Sequence, residues 1–443
     1  MKSCCAALHL GLLLLCQAAD ASAPADQTAL LQQAIDALPP GGILDCQGAS
    51  YVVSSLLLKS NMTMQNCSLT TLPGALDFAS PVTIDGRGQP VANVTLRRVQ
   101  VFGDRHEQTN IGYAGQEDGG RHCFRILGRV SGLVIEDSSG SYCATDGIAF
   151  VSWGVSTSDN PADLPFQNIA VRNSQFSFNR RSGISADGMN NATFDHVSFL
   201  NNGTTVAGGL AEGDLCASSP GPASGAAQCY GSGFWYEDYR TGVAGEGLSD
   251  VLFSGCVFRN NFQRSLFFIT HEQPSAPNYQ PRSNIRIVDS SLDAGLQPLA
   301  EDYAVQFQVD APLAGAGALY QNIAIQNTQL SGSLGLHQAA NVSVISSAID
   351  TPLASLGYAA GITNISFRDV QPSGKTLAAA LDPAGGPAPV VTYSNTPAVT
   401  SAASPPQSGT NGKGDVVWNS AASAPSGWIC LSAGTPCAQW LDF

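Results

Sequence analysis

The chain has 443 residues, only 12% of them charged, and a net charge of −14. That balance argues against nucleic acid and against an anionic membrane surface as partners. An acidic polymer remains compatible only where arginines gather locally, because Lys59, Lys375 and Lys413 are the only lysines after Lys2.

Residues 1–23 read as a signal peptide. Met1-Lys2 is followed by an apolar run, Ala6 to Leu15, too short to span a bilayer, and Ala21-Ser-Ala23 offers small residues for cleavage. The mature protein is therefore expected to be exported, extracellular or, in a bacterium, periplasmic. No later stretch is apolar enough for a membrane span. Residues 26–38 (DQTALLQQAIDAL) predict one helix, with Asp26 or Thr28 as cap and Leu30, Leu31, Ala34, Ile35 and Leu38 on one face. A lone amphipathic helix ahead of a strand array serves best as a lid on its first rung.

From Gly42 onward, short alternating segments are separated by Gly- and Asn-rich corners. Residues 166–202 hold two copies of one unit, and Phe176/Asn179, Phe199/Asn202 and Phe258/Asn261 repeat at the same spacing. A strand–corner unit repeated in this way predicts a parallel β-solenoid. Its rungs align as HCFRILG (122–128), DGIAFVSW (146–153), SGISADGM (182–189), SGFWYEDY (232–239), RSLFFITH (264–271) and DYAVQFQV (302–309), with LGLH (334–337) last. Alternation then puts Ile148, Ile184, Phe234 and Leu266 inside. Arg125, Ala149, Ser185, Trp235 and Phe267 form one outward column, and Leu127, Val151, Asp187, Glu237 and Ile269 the next. The Asn residues at the corners are expected to stack as a structural ladder. Insertions at 103–121, 151–166, 203–231, 238–247 and 271–283 are expected to wall a groove along the face that these columns form.

The opening resembles the pectate-lyase-like (pectin lyase fold) superfamily: an acidic-x-Thr helix, a Gly-rich turn, a Tyr strand (Tyr51) and a Leu/Ser-Asn/Thr rung at residues 56–64. The resemblance spans roughly residues 26–370 and implies the hand of the coil. The expected fold is all-β, a single right-handed parallel β-helix over 24–375. An Ala/Pro/Ser-rich linker or wrap (376–412) and a C-terminal β cap (413–443) follow. The tail resembles terminal segments of bacterial and phage β-helix proteins.

Nine cysteines follow the leader, with no CxxC. Export makes disulfides the natural reading. Pairing of neighbours gives Cys46–Cys67, Cys123–Cys143, Cys216–Cys229 and Cys430–Cys437, with Cys256 left free. Asn61, Asn66, Asn93, Asn191, Asn202, Asn341 and Asn364 stand in N-x-[ST] sequons, which mark either glycosylation or corner chemistry.

Several groups carry chemistry. Asp187 and Glu237 occupy one outward column on successive rungs, with backbones about 5 Å apart, a spacing suited to a nucleophile and acid/base couple. Both also suit a solvated sheet face. Asp146, Arg180, Arg181 and Arg264, with His122 above, gather where the strand begins, and Arg125 shares that face. An arginine beside a carboxylate can take an acidic sugar, although Asp146-Gly is equally a turn pair. NRRSGIS (179–185) resembles an NRRQGIS motif of secreted β-helix proteins. TDGI (145–148) resembles one strand of polygalacturonases, whose second Asp-Asp strand and Gly-His-Gly this chain lacks. Trp235, with Phe267 and Tyr239, offers faces for sugar stacking if it stands exposed. His271 ends its strand near the same groove. The acidic loop at Asp104–Glu107 with Glu117-Asp118 has Ca2+-type donors but no regular ligand spacing and reads as solvated.

These residues favour a secreted enzyme cleaving a polysaccharide or oligosaccharide, first of all a glycoside hydrolase. Asp187, Glu237, Asp146 and Arg181 are its catalytic group, and Arg180, Trp235, Tyr239, Phe267, Arg125, His122 and His271 bind substrate. No cofactor or metal is required. The alternatives are a uronate lyase or epimerase using Arg and Ca2+, and a glycan-binding adhesion protein without turnover.

Overall fold

A computed structural model describes strands and corners from residue 25 to residue 372, and strand backbone as far as residue 442. It leaves out residues 1–24, the insertions 106–120, 153–164, 204–230, 239–246, 271–281, 297–302 and 310–318, and shorter stretches. The signal peptide, the acidic loop, Tyr239, His271 and the Cys216–Cys229 and Cys430–Cys437 pairings therefore fall outside the described residues, wholly or in one partner.

The chain winds into a right-handed parallel β-helix whose strands stack in three ladders of one continuous sheet, called sheets 1 to 3. Sheet 1 contains Leu56–Leu58, Phe124–Gly128, Ile148–Val151, Ile184–Ala186, Phe234–Asp238, Leu266–Thr270, Tyr303–Val309 and Ser333–His337. Sheet 2 carries Phe166–Arg172, Met189–Asp195 and Leu248–Ser254, and sheet 3 the short strands Ser139–Ser141, Gln175–Ser177 and Ser198–Leu200. The expected register holds through five rungs: Phe124, Ile148, Ile184, Phe234 and Leu266 pair in sequence and are all fully buried. The next rung enters one residue late. Val305, not Ala304, pairs with Leu266, and the register shifts again between Tyr303 and Val305. Irregular pairing of this kind has no sequence pattern, because both parities at 303–307 are apolar or buried.

The helix forms at Thr28–Ala37, with Leu31 and Ile35 buried and the Asp26 carboxylate accepting the Thr28 N–H at 2.9 Å. It closes the first rung through polar side chains. The Gln32 amide takes both the N–H and the C=O of Leu57, at 2.8 and 3.1 Å. Gln27 does the same for Val52, its side chain accepting the N–H at 3.1 Å and its own N–H reaching the carbonyl at 2.9 Å. Backbone groups that would otherwise template another strand are thus satisfied. At the other end, Val416–Asn419, Gly427–Ser432 and Gln439–Asp442 pair antiparallel. Within the stretch read as linker or wrap, Leu377–Leu381, Val391–Ser394 and Ala398–Ala402 continue the parallel pairing.

Two disulfides are present as expected, Cys46–Cys67 and Cys123–Cys143. Cys256 is free and buried, and desolvation pushes its thiol up to about 12, so it stays an inert core residue.

Each corner turns on a residue in the left-handed region. One corner column runs Asn61, Asn93, Gly132, Asn168, Asn191, Asp250, Asn284, Asn322, Asn341 and Asn364, all at positive φ. Asn tolerates this conformation and bonds laterally from it. Asn93 donates to Asn61 at 2.9 Å, Asn191 to Asn168 at 2.6 Å, and Asn341 and Asn364 each donate one rung down at 3.1 Å. Asn61, Asn93, Asn191, Asn341 and Asn364, five of the sequon asparagines, stand in this column. A second, interior ladder runs through Asn179, Asn202 and Asn261. Asn202 Nδ2 donates to Asn261 Oδ1 at 2.9 Å and to the Phe176 carbonyl at 3.1 Å, beside the stacked rings of Phe199 and Phe258. Asn202→Ala strands several of these fully buried groups, so urea unfolding should show a loss of about 2–4 kcal/mol. A loss below 1 kcal/mol would remove the ladder's structural role.

Candidate active site

The corner from sheet 3 into sheet 1 gathers the polar residues singled out in the sequence. Asp146 is wholly buried at its centre. Arg181 meets it bidentately, Nε to Oδ1 at 2.9 Å and Nη2 to Oδ2 at 2.6 Å. The Ser182 N–H donates to Oδ1 at 2.8 Å and the Ser185 hydroxyl to Oδ2 at 2.7 Å, while His122 Nδ1 lies 3.2 Å from Oδ2. Winding explains the convergence. Asp146 and Ser182 precede paired glycines, Gly147 and Gly183, each close-packed against the next rung: a Cβ on Gly147 would lie 2.5 Å from the Gly183 carbonyl. The two rungs therefore stack tightly enough for Arg181 to reach back over Asp146.

Burial alone would push Asp146 up. The Arg181 and His122 charges and hydrogen bonds outweigh it and hold the carboxyl well below the usual carboxylate range. Burial also pushes His122 below its ordinary value; Asp146 pulls it back only in part, and Arg181 and Arg125 add to the lowering. Asp146 is thus an ionised carboxylate with every oxygen engaged and no solvent exposure. Its oxygens are held by Arg181, Ser182 and Ser185.

Arg181 remains partly exposed, its side chain at 15%. Arg180, its neighbour in the chain, and Arg125, on the rung before that of Asp146, are half-buried. Arg264 lies two rungs up, its guanidinium 4.3 Å from the Phe267 ring centre. Cationic side chains therefore collect on this corner of an acidic chain.

The outward column of Arg125, Ala149, Ser185, Trp235 and Phe267 is present in the predicted register. The expectation that Trp235 stands exposed is not met. It keeps 7% of its surface, packed edge-on to Phe267 at 5.3 Å and clustered with Ile269. Adjacent rungs place large apolar groups at equivalent outward positions, and these bury one another. Asp187 follows Ala186 as Glu237 follows Tyr236, and Ala186 and Tyr236 are paired; Asp187 lies just past the end of its strand, whereas Glu237 continues within Phe234–Asp238. Asp187 Oδ2 accepts the Ser152 N–H at 2.6 Å, tying it to the preceding rung. Glu237 is half-buried and pairs with Ile269 on the following one.

Sequence reasoning passed over Ser185 as a partner of Asp146. Its outward place in SGIS, directly above the position taken by Ala149, was the available signal. Among the described residues, no three His, Cys, Asp or Glu side chains gather as metal ligands would, and no helix is long and apolar enough to cross a membrane.

No protein-family model and no curated protein matches the chain. Solved structures do. The A-module of mannuronan C-5 epimerase AlgE6 from Azotobacter vinelandii is 14% identical, with 84% of this chain and 96% of that one covered and a TM-score of 0.42. The tailspike protein of Escherichia coli bacteriophage HK620, as a double mutant, is 13% identical over 89% of this chain and 63% of its own, with a TM-score of 0.43. PfbA, a surface adhesin of Streptococcus pneumoniae, is 11% identical over 94% and 95%, with a TM-score of 0.41. At these identities the likeness extends to the fold and no further.

Proposed function

We propose that the protein is a secreted carbohydrate-active enzyme that cleaves an acidic polysaccharide by hydrolysis, with Asp187 and Glu237 as its carboxylate couple. One observation supports the reading: Ala186 pairs with Tyr236 on the adjacent strand, and Asp187 and Glu237 are the residues that follow them. Strands so paired lie about 4.8 Å apart, which suits a retaining pair. The backbone hydrogen bond at Asp187 supports its role as the nucleophile that attacks the anomeric carbon. Glu237 then protonates the departing glycosidic oxygen and, in the second step, takes the proton of the water that releases the sugar. Arg181, held by Asp146, and Arg180 face the acidic groups of the polymer.

A lyase or epimerase acting on uronates is the second reading, favoured by the same arginines. The two separate on a panel of acidic and neutral polysaccharides assayed for new reducing ends and for the ultraviolet absorbance of an unsaturated uronate. Reducing ends without that absorbance support hydrolysis. Absorbance that persists in Asp187→Asn overturns it.

A further inference from the structure

The corner that carries Arg181 also carries three aromatic rings outside the coil. Phe102, 41% exposed, lies 5.1 Å from Tyr142, and Tyr142 lies 5.1 Å from Phe178 with the two planes only 6° apart. Rings in full face-to-face contact would sit about 3.5–4 Å apart, so these are shingled along the coil axis, each leaving part of a face uncovered.

Their backbone is unexpected. Tyr142 and Phe178 both adopt φ +56, a conformation that bulky residues rarely take. The chain itself shows what this corner otherwise accepts. Register carries Phe178 onto Asn201 and Asn201 onto Asn260, and both asparagines hold the same left-handed φ, at +55 and +54. Two rungs use the residue that fits the backbone, and two use an aromatic that does not. Unfavourable backbone retained at particular rungs of a repeat points to use of the side chains.

The geometry points to a sugar-stacking platform formed by Phe102, Tyr142 and Phe178, on which successive rings of the polysaccharide lie before reaching the arginine corner. Phe178 precedes Arg181 by three residues, a reach of at most about 10 Å. A single chain can therefore rest its apolar ring faces on the platform and its acidic groups against the guanidinium. The inference rests on the carbohydrate reading above and adds a binding subsite distinct from the buried Trp235 cluster.

The test compares Tyr142→Asn, Phe178→Asn and Phe102→Ala with the wild type. Each is run in native gels cast with polygalacturonate, alginate, xylan or dextran, and its thermal midpoint is measured. Because Asn suits the corner, the two Asn variants should hold or raise Tm by about 1–3 °C. Each should also weaken retention by about 3- to 10-fold. Phe102→Ala, on ordinary extended backbone, should weaken retention with Tm unchanged. Retention equal to the wild type in all three, with polymer still cleaved, overturns the platform and leaves the proposed function standing. A lower Tm in both Asn variants overturns it too, by making the rings packing elements. A wild type that neither binds nor cleaves any of the polymers overturns both.

Discussion

Asp187→Asn is expected to lower polysaccharide turnover by about 10³-fold, and Glu237→Gln by about 10²–10⁴-fold, with little change in stability. The two substitutions remove different things. Asn at 187 keeps an oxygen to accept the Ser152 N–H, so the corner holds while nucleophilicity is lost. Gln at 237 keeps the shape of Glu but carries no proton to deliver. Substrates with good leaving groups should therefore recover much of their rate in Glu237→Gln and none in Asp187→Asn. In Asp187→Ala, azide can occupy the space of the missing carboxylate and carry off the sugar, whereas a merely structural Asp187 would give no such rescue. Because the two act as one unit, the double variant should be scarcely slower than the worse single one. Full activity in both single variants ends the assignment.

The coil was legible because winding repeats its instructions. Inward residues alternate with outward ones, and the error of a single rung is diluted by its neighbours. Phe124, Ile148, Ile184, Phe234 and Leu266 align on that basis alone. The slip at Val305 marks the limit, since a strand buried on both faces has no alternation to read. The grouping of His122, Asp146 and Arg181 was legible for the same reason: register stacks positions and so brings together residues far apart in sequence. What register cannot supply is depth. Trp235 points outward as expected yet is covered, because exposure depends on what neighbouring rungs lay over a position, here Phe267 and Ile269. Backbone conformation was equally hidden. Asn at a corner announces a left-handed turn, but nothing about Tyr142 or Phe178 does.

Breaking the Asp146–Arg181 pair should reveal which partner the fold depends on. Arg181→Met leaves a fully buried carboxylate facing His122 and two serines, and should cost about 3–5 kcal/mol. Asp146→Asn removes the buried charge and leaves a guanidinium that is already partly exposed, so the loss should be nearer 2 kcal/mol. The double variant should recover part of the Arg181→Met loss. Titration gives an independent readout. His122 binds its proton less readily folded than unfolded, so the unfolded chain gains protons first and wild-type stability falls as pH drops below about 6.5. Asp146, held low in the folded protein, contributes stability that is present above its unfolded pKa of about 3.9 and lost as pH falls toward its folded value. Urea midpoints should thus decline in two limbs, and His122→Gln should remove the upper one. Arg181 is among the charges that keep His122 unprotonated, so its removal lets the imidazole charge beside the stranded Asp146. In Arg181→Met the upper limb should therefore shrink or reverse, and the variant should regain stability relative to wild type as pH falls from 7 toward 5. An upper limb unchanged from the wild type would show that Arg181 does not govern the charge at this corner.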